Sequence, residues 1–134
     1  MSRRGIRWCK LDLDMLRDPK VQLVLDEAGA EGIAVWIAAI IEMYTAINDG
    51  QVFIGVDSLT RRVACDLNLG KIRAKKLLKT CEKAGLFDHE MWAEGRAANE
   101  RVAEFYDQYL RKCDRAEKAR AARDASNIKP DIKP

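Results

Sequence analysis

A chain of 134 residues with 24 lysines and arginines against 21 aspartates and glutamates carries a formal net charge of +3, with a pI near 8.7. That is chain enough for one core and too little for two ordinary domains, and so weak a basicity permits a nucleic-acid partner without requiring one. Four scattered cysteines with no Cys-x-x-Cys pair, and a single histidine, exclude a zinc finger or ribbon and fit a reducing cytoplasm better than a disulfide scaffold.

Met1 to Lys10 opens with Arg3 and Arg4 and continues as Ile6-Arg7-Trp8-Cys9-Lys10, a short strand or extended arm in which Trp8 is expected to lie as a lid over the core. The two arginines read either as an arm that tracks a groove or as an ordinary basic terminus. Asp12, Asp14, Arg17 and Asp18 interrupt any apolar run, so no secretory leader is expected. Asp18-Pro19 marks a helix start, the aspartate as N-cap and the proline in the first helical position. Val21, Leu23, Val24 and Leu25 make that helix short and mostly buried, and Ala28 to Gly32 ends it.

Ile33 to Ile47 is the most apolar stretch and is expected to be the central core helix. Glu31 and Glu42 interrupt it, and it falls short of the ~20 residues a bilayer requires, so no membrane span is expected. Asn48-Asp49-Gly50 turns the chain, and Gln51 to Ile54 reads as a strand.

Asp57 to Glu94 reads as helix, tight turn, helix and hairpin. Asp57 is the expected N-cap of a helix with the inner stripe Leu59, Val63, Ala64 and Leu67; Asn68-Leu69-Gly70 breaks it. The next helix has the inner stripe Ala74, Leu77, Leu78, Cys81 and Ala84, and Gly85 supplies a left-handed stop. Leu86-Phe87 and Met91-Trp92 flank Asp88-His89-Glu90 in a pattern suited to a two-stranded wing, to which Gln51–Ile54 would pair. The fold class expected is mainly α (α+β): a winged helix-turn-helix over residues 1–95, with an extra N-terminal helix, a short β-wing and a long C-terminal helix.

The charge is local. Met1 to Thr60 has 6 basic and 9 acidic residues, whereas Arg61 to Lys83 has 8 basic against 2 acidic. Arg61, Arg62, Lys71, Arg73, Lys75, Lys76, Lys79 and Lys83 are therefore the candidate DNA-binding cations, their charge suited to phosphates and the first turn of the second helix suited to base edges. Ile72 falls amid them, placed for a thymine methyl or a protein partner. The competing reading is a solvated lysine face on an ordinary amphipathic helix.

Residues 96–125 contain neither proline nor glycine and read as one helix. Val102, Phe105, Tyr106 and Tyr109 lead an apolar stripe that would pack on a core or on a second copy of the chain, the candidate oligomerisation surface. Past Asp114 only alanine is left for an apolar face, so that half should project. Residues 126–134, with Ile-Lys-Pro twice, read as a disordered tail or a linker to a further domain.

Arg17-Asp18-Pro19-Lys20, Gly29-Ala30-Glu31-Gly32 with Trp36, Asn48-Asp49-Gly50, Cys81 to Asp88, and Glu94-Gly95 leading to Asn99-Glu100-Arg101-Val102 together resemble a family of phage and prophage proteins. These are DnaD-like, replication-initiation type winged-helix N-terminal domains, many of them domains of unknown function. The resemblance implies a winged helix and a place in phage DNA replication, at origin recognition or primosome loading; it brings no catalytic residue. Arg96-Ala97-Ala98 departs from the apolar and hydroxyl residues usual there.

An enzyme is disfavoured: there is no phosphate loop, metal cluster, cofactor motif or nucleophile elbow, and Asp12, Asp14 and Asp18 read as a polar segment and helix start before they read as a Mg²⁺ site. A non-catalytic, cytoplasmic DNA-binding module is expected. Its alternatives are an assembly module that binds replication proteins or itself as a homodimer, and a phage transcriptional regulator.

Overall fold

The computed structural model describes residues 5–127, Asn127 by its backbone alone; Arg3 and Arg4 and the tail from residue 128 lie outside the described residues. The chain forms two compact units that divide between Ala103 and Glu104. It is mainly helical. A one-turn 3-10 helix, Met15–Arg17, precedes α1 (Pro19–Ile47), β1 (Ile54–Gly55), α2 (Val56–Leu67), α3 (Lys71–Lys83), α4 (His89–Ala93), β2 (Arg96–Ala97) and α5 (Glu100–Asn127).

Asp18 caps α1 as its sequence predicts: the carboxylate accepts the Lys20 N–H at 2.8 Å, and Pro19, which has no N–H to satisfy, sits in the first turn. The two helices expected on either side of Ala28–Gly32 are both present, following each other directly within α1 and separated by a kink at Gly29, whose non-helical φ of 67° and ψ of −161° only glycine adopts readily. The kink brings Gly32 of the second helix close against the end of the first. A Cβ there would stand 2.7 Å from the Ala28 Cβ and 2.8 Å from Val24 Cγ1. Taken across that kink, the 29 residues of α1 are long and apolar enough by composition to cross a membrane, a test that the core helix of a soluble protein also passes. Val35, Trp36, Ala39, Met43 and Ile47 are nonetheless buried, and the helix packs on α2 and α3 as the core element.

Beneath it lie Leu59 and Val63 of α2 and Ala74, Leu78 and Cys81 of α3, all but inaccessible. Burial pushes the Cys81 thiol up to about 12, so it stays protonated and behaves as a small apolar side chain. Val102, at the start of α5, is 2% exposed: a core residue of the first unit that offers no oligomerisation surface.

The sheet is a single antiparallel pair, Ile54 opposite Ala97 and Gly55 opposite Arg96. The strand expected at Gln51–Ile54 is thus shifted and short, and its partner is the Arg96-Ala97 dipeptide that had been read as the start of the long helix. Gly55, at the end of β1, is also the N-cap of α2, so Asp57 lies inside the first turn and does not cap it. There its charge faces the positive end of the helix.

Leu86 to Trp92 forms no wing hairpin. Asp88 accepts the Met91 N–H at 2.9 Å and caps the short α4, while Phe87 before the cap meets Trp92 on the far side, ring centroids 5.1 Å apart. Apolar residues at those two positions form a hydrophobic staple, which fixes the entry of a helix. Phe87 is 2% exposed and also meets Trp36 edge-on at 5.3 Å, so it anchors the core instead of lining a strand. Asn99 closes the segment: its amide donates to the Leu86 carbonyl at 2.7 Å and its oxygen accepts the Arg101 N–H at 2.9 Å.

Trp8 is no lid, being 71% exposed. The arm around it is pinned by Asn48, whose side chain accepts the Ile6 N–H at 2.6 Å and donates to the Ile6 carbonyl at 3.0 Å.

The second unit is the rest of α5. Its Phe105 and Tyr109 rings stack at 6.4 Å, and Arg111–Asp107 and Lys118–Asp114 pair at 3.1 and 3.2 Å across one turn. The helix continues through Ser126, where the tail had been expected to begin.

Candidate nucleic-acid interface

The connection from α2 to α3 is made by backbone conformation. Asn68 adopts a left-handed φ of 54° and ψ of 48°, a state its short polar side chain tolerates, and the Leu69 N–H turns back to the Ala64 carbonyl at 2.8 Å. Gly70 is already extended and starts α3. With Ala74, Leu77, Leu78 and Cys81 held inward, the opposite side of α3 must face outward.

That outer side carries Lys71, Ile72, Arg73, Lys75, Lys76, Lys79 and Lys83, every one exposed. Ile72, Lys76, Lys79 and Lys83 follow each other at steps of four, three and four residues and make one line along the helix. Lys71 and Lys75 flank this line on one side, Arg73 on the other. Arg61 and Arg62 are exposed on α2.

The charge on this surface is partly neutralised from within. The Arg73 guanidinium clamps Glu31 of α1, its Nε donating to Oε1 at 2.8 Å, and that hydrogen bond above all holds the Glu31 carboxyl below its ordinary value. Lys83 pairs with Glu27 of α1 at 3.2 Å. Lys79 donates to Glu82 at 2.9 Å, and His89 of α4 meets the other Glu82 oxygen. Burial works to raise the Glu82 carboxyl, but the bonds from Lys79 and His89 outweigh it and hold the group down as a carboxylate. Arg62 pairs with Glu42 at 3.8 Å. Burial, and then the neighbouring Asp66 carboxylate, push Glu42 up. Among the described residues Lys71, Lys75, Lys76 and Arg61 make no ion pair.

The structure therefore brings the α3 residues onto one face and divides them into free cations and clamped ones. The clamps were missed in the sequence. No local signal marks them, since Glu27 and Glu31 stand on either side of the kink at Gly29 and helical spacing does not relate them. Exposed pairs of this kind are weak and screened by salt, so phosphates can replace them.

Beside α2 a groove of about 570 Å³ is lined by Glu42, Asp49, Phe53, Ser58, Arg61 and Arg62, with the Arg96 guanidinium 5.2 Å above the Phe53 ring. Its charge is mixed. Among the described residues no cluster of histidine, cysteine and carboxylates is placed to hold a metal; Asp12 pairs with Arg101 and Asp18 caps α1. Of the expected oligomerisation residues, Phe105, Tyr106 and Tyr109 are partly exposed and Val102 is buried.

Residues 8–98 match the model of the family described as Lin1244/Lin1753-like, N-terminal, and the chain belongs to that family. The matched stretch contains every element that builds the α3 surface. No curated protein and no solved structure matches the chain.

Proposed function

We propose that this member of the Lin1244/Lin1753-like N-terminal family is a non-catalytic DNA-binding module of the phage replication-initiation type, with α2 and α3 as a helix-turn-helix and α3 as the helix that meets DNA. The observation that carries the reading is the outer side of α3, where Lys71, Lys75 and Lys76 are exposed and make no ion pair among the described residues. Compact ammonium groups within one and a half turns of a helix start suit two or three successive phosphates at the edge of a major groove. The finer assignment, a DnaD-like winged helix, draws on the small sheet that joins β1 before α2 to β2 after α4, with a one-turn helix in the wing's place.

The test is a salt titration of binding to a mixed-sequence duplex and to single-stranded DNA. Three phosphate contacts on a duplex correspond to a log–log slope of about −2.7, or about fortyfold weaker binding at 200 mM than at 50 mM salt. Lys75→Glu with Lys76→Glu should abolish binding without unfolding a protein whose core these residues do not enter. Salt-independent binding, or binding unchanged in the double variant, would refute the reading.

Assembly is the second reading, favoured by Leu110, 47% exposed next to the Phe105–Tyr109 stack. It predicts that replacing Phe105 and Tyr109 lowers the mass in solution and leaves DNA affinity intact.

A further inference from the structure

Ile72 is 89% exposed, more than any other large apolar side chain in α1 to α5. It occupies the second position of α3, in line with Lys76 and Lys79 and between the free Lys71 and the clamped Arg73. A branched aliphatic side chain at such a place gains nothing from the core, and its helix propensity is poorer than that of the lysines around it. In the free protein the Arg73 guanidinium of the first turn is turned toward α1, where Glu31 holds it through both Nε and Nη2. What the first turn presents outward is therefore an apolar group bracketed by ammonium groups.

From this we infer that Ile72 is a specificity-determining residue that reads the 5-methyl group of thymine in the major groove, while Lys71, Lys75 and Lys76 hold the flanking phosphates. The inference rests on the DNA-binding reading above and deepens it. Thymine is the only base of unmodified DNA with a methyl group on the major-groove edge, and apolar contact is the way proteins recognise it. The N-terminal residues of a helix lying in the groove are those that reach base edges. A charged or amide side chain at position 72 would seek donors or acceptors on any base pair; isoleucine has only the methyl to gain from.

The experiment compares an alternating adenine–thymine duplex with the same duplex carrying uracil in place of every thymine. The phosphates, charge and Watson–Crick pairing are the same, and only the methyl groups are removed. Wild-type protein should bind the thymine duplex about fourfold more tightly, the effect of one buried methyl group. Ile72→Ala should bind both duplexes equally and keep the wild-type salt slope, since no phosphate contact is lost; an exposed position that becomes a better helix former leaves folding undisturbed. Equal binding of the two duplexes by wild-type protein would overturn the inference and leave phosphate binding by α3 standing. So would a thymine preference that survives in Ile72→Ala, because it would then come from duplex shape. Failure to bind either duplex at low salt would overturn the DNA-binding reading and this inference with it.

Discussion

Up to Ala103 the chain buries Met43, Leu59, Leu78, Phe87 and Val102 almost completely, whereas from Glu104 to Ser126 no residue is buried. Both regions are helical, but the first is held by apolar area withdrawn from water, whereas the second shows helix propensity, the Phe105–Tyr109 ring stack and ion pairs a turn apart among its described interactions. The contrast bears on function. A surface that must present lysines in fixed register needs a rigid support, and α3 has one because its inner stripe is part of the larger core.

The sharpest way to break the contrast is Phe87→Ala. Phe87 meets Trp36 and Trp92 and is 2% exposed, so its removal should cost about 3–5 kcal/mol, read as a lower midpoint in urea denaturation. Amide exchange in the α5 segment from Glu104 onward should change little. If that segment lost protection together with the core, the two regions would be one cooperative unit and the contrast would be wrong.

The same residue shows what could be read in advance. The inner stripes of α2 and α3, the Asp18–Pro19 start and the turn at Asn68 to Gly70 were legible, because caps and a 3.6-residue period are local signals. The wing was misread because Leu86-Phe87 and Met91-Trp92 around a polar centre resemble two strand ends; the aspartate between Phe87 and Trp92, at cap and staple spacing, was the stronger signal. Within the candidate site, all the α3 cations were found on the outer face by periodicity. Which of them are free was not legible, since Arg73–Glu31 and Lys83–Glu27 join residues 42 and 56 positions apart, and only the packing of α1 on α3 brings them together.

A smaller effect is expected at the bend of α1. In Gly32→Ala the new methyl would press on Ala28 and the buried Val24. Overpacking of about 1–3 kcal/mol is offset by the roughly 1 kcal/mol that alanine contributes over glycine in a helix, leaving a net loss of about 1 kcal/mol. Thermal unfolding followed by tryptophan fluorescence, which senses Trp36 beside the core, would register it. A stabilised protein would mean that the bend at Gly29 yields, and that the first unit is less tightly packed than its burial implies.

The smallest effect belongs to the second region and distinguishes its mechanism from that of the first. Asp107→Ala and Asp114→Ala each remove one partner of an exposed pair across one turn of α5, at a cost of about 0.3–0.5 kcal/mol apiece. Because such pairs are screened, the loss should be visible by residue-resolved hydrogen exchange at 10 mM salt and nearly absent at 1 M, where the Debye length is about 3 Å. The protection of Leu59, Val63 and Leu78 should be insensitive to the same change in salt, since apolar burial carries no charge to screen. Substitutions that mattered equally at both salt concentrations would show that Asp107 and Asp114 act through something other than their pairs, and that α5 beyond Glu104 depends on packing after all.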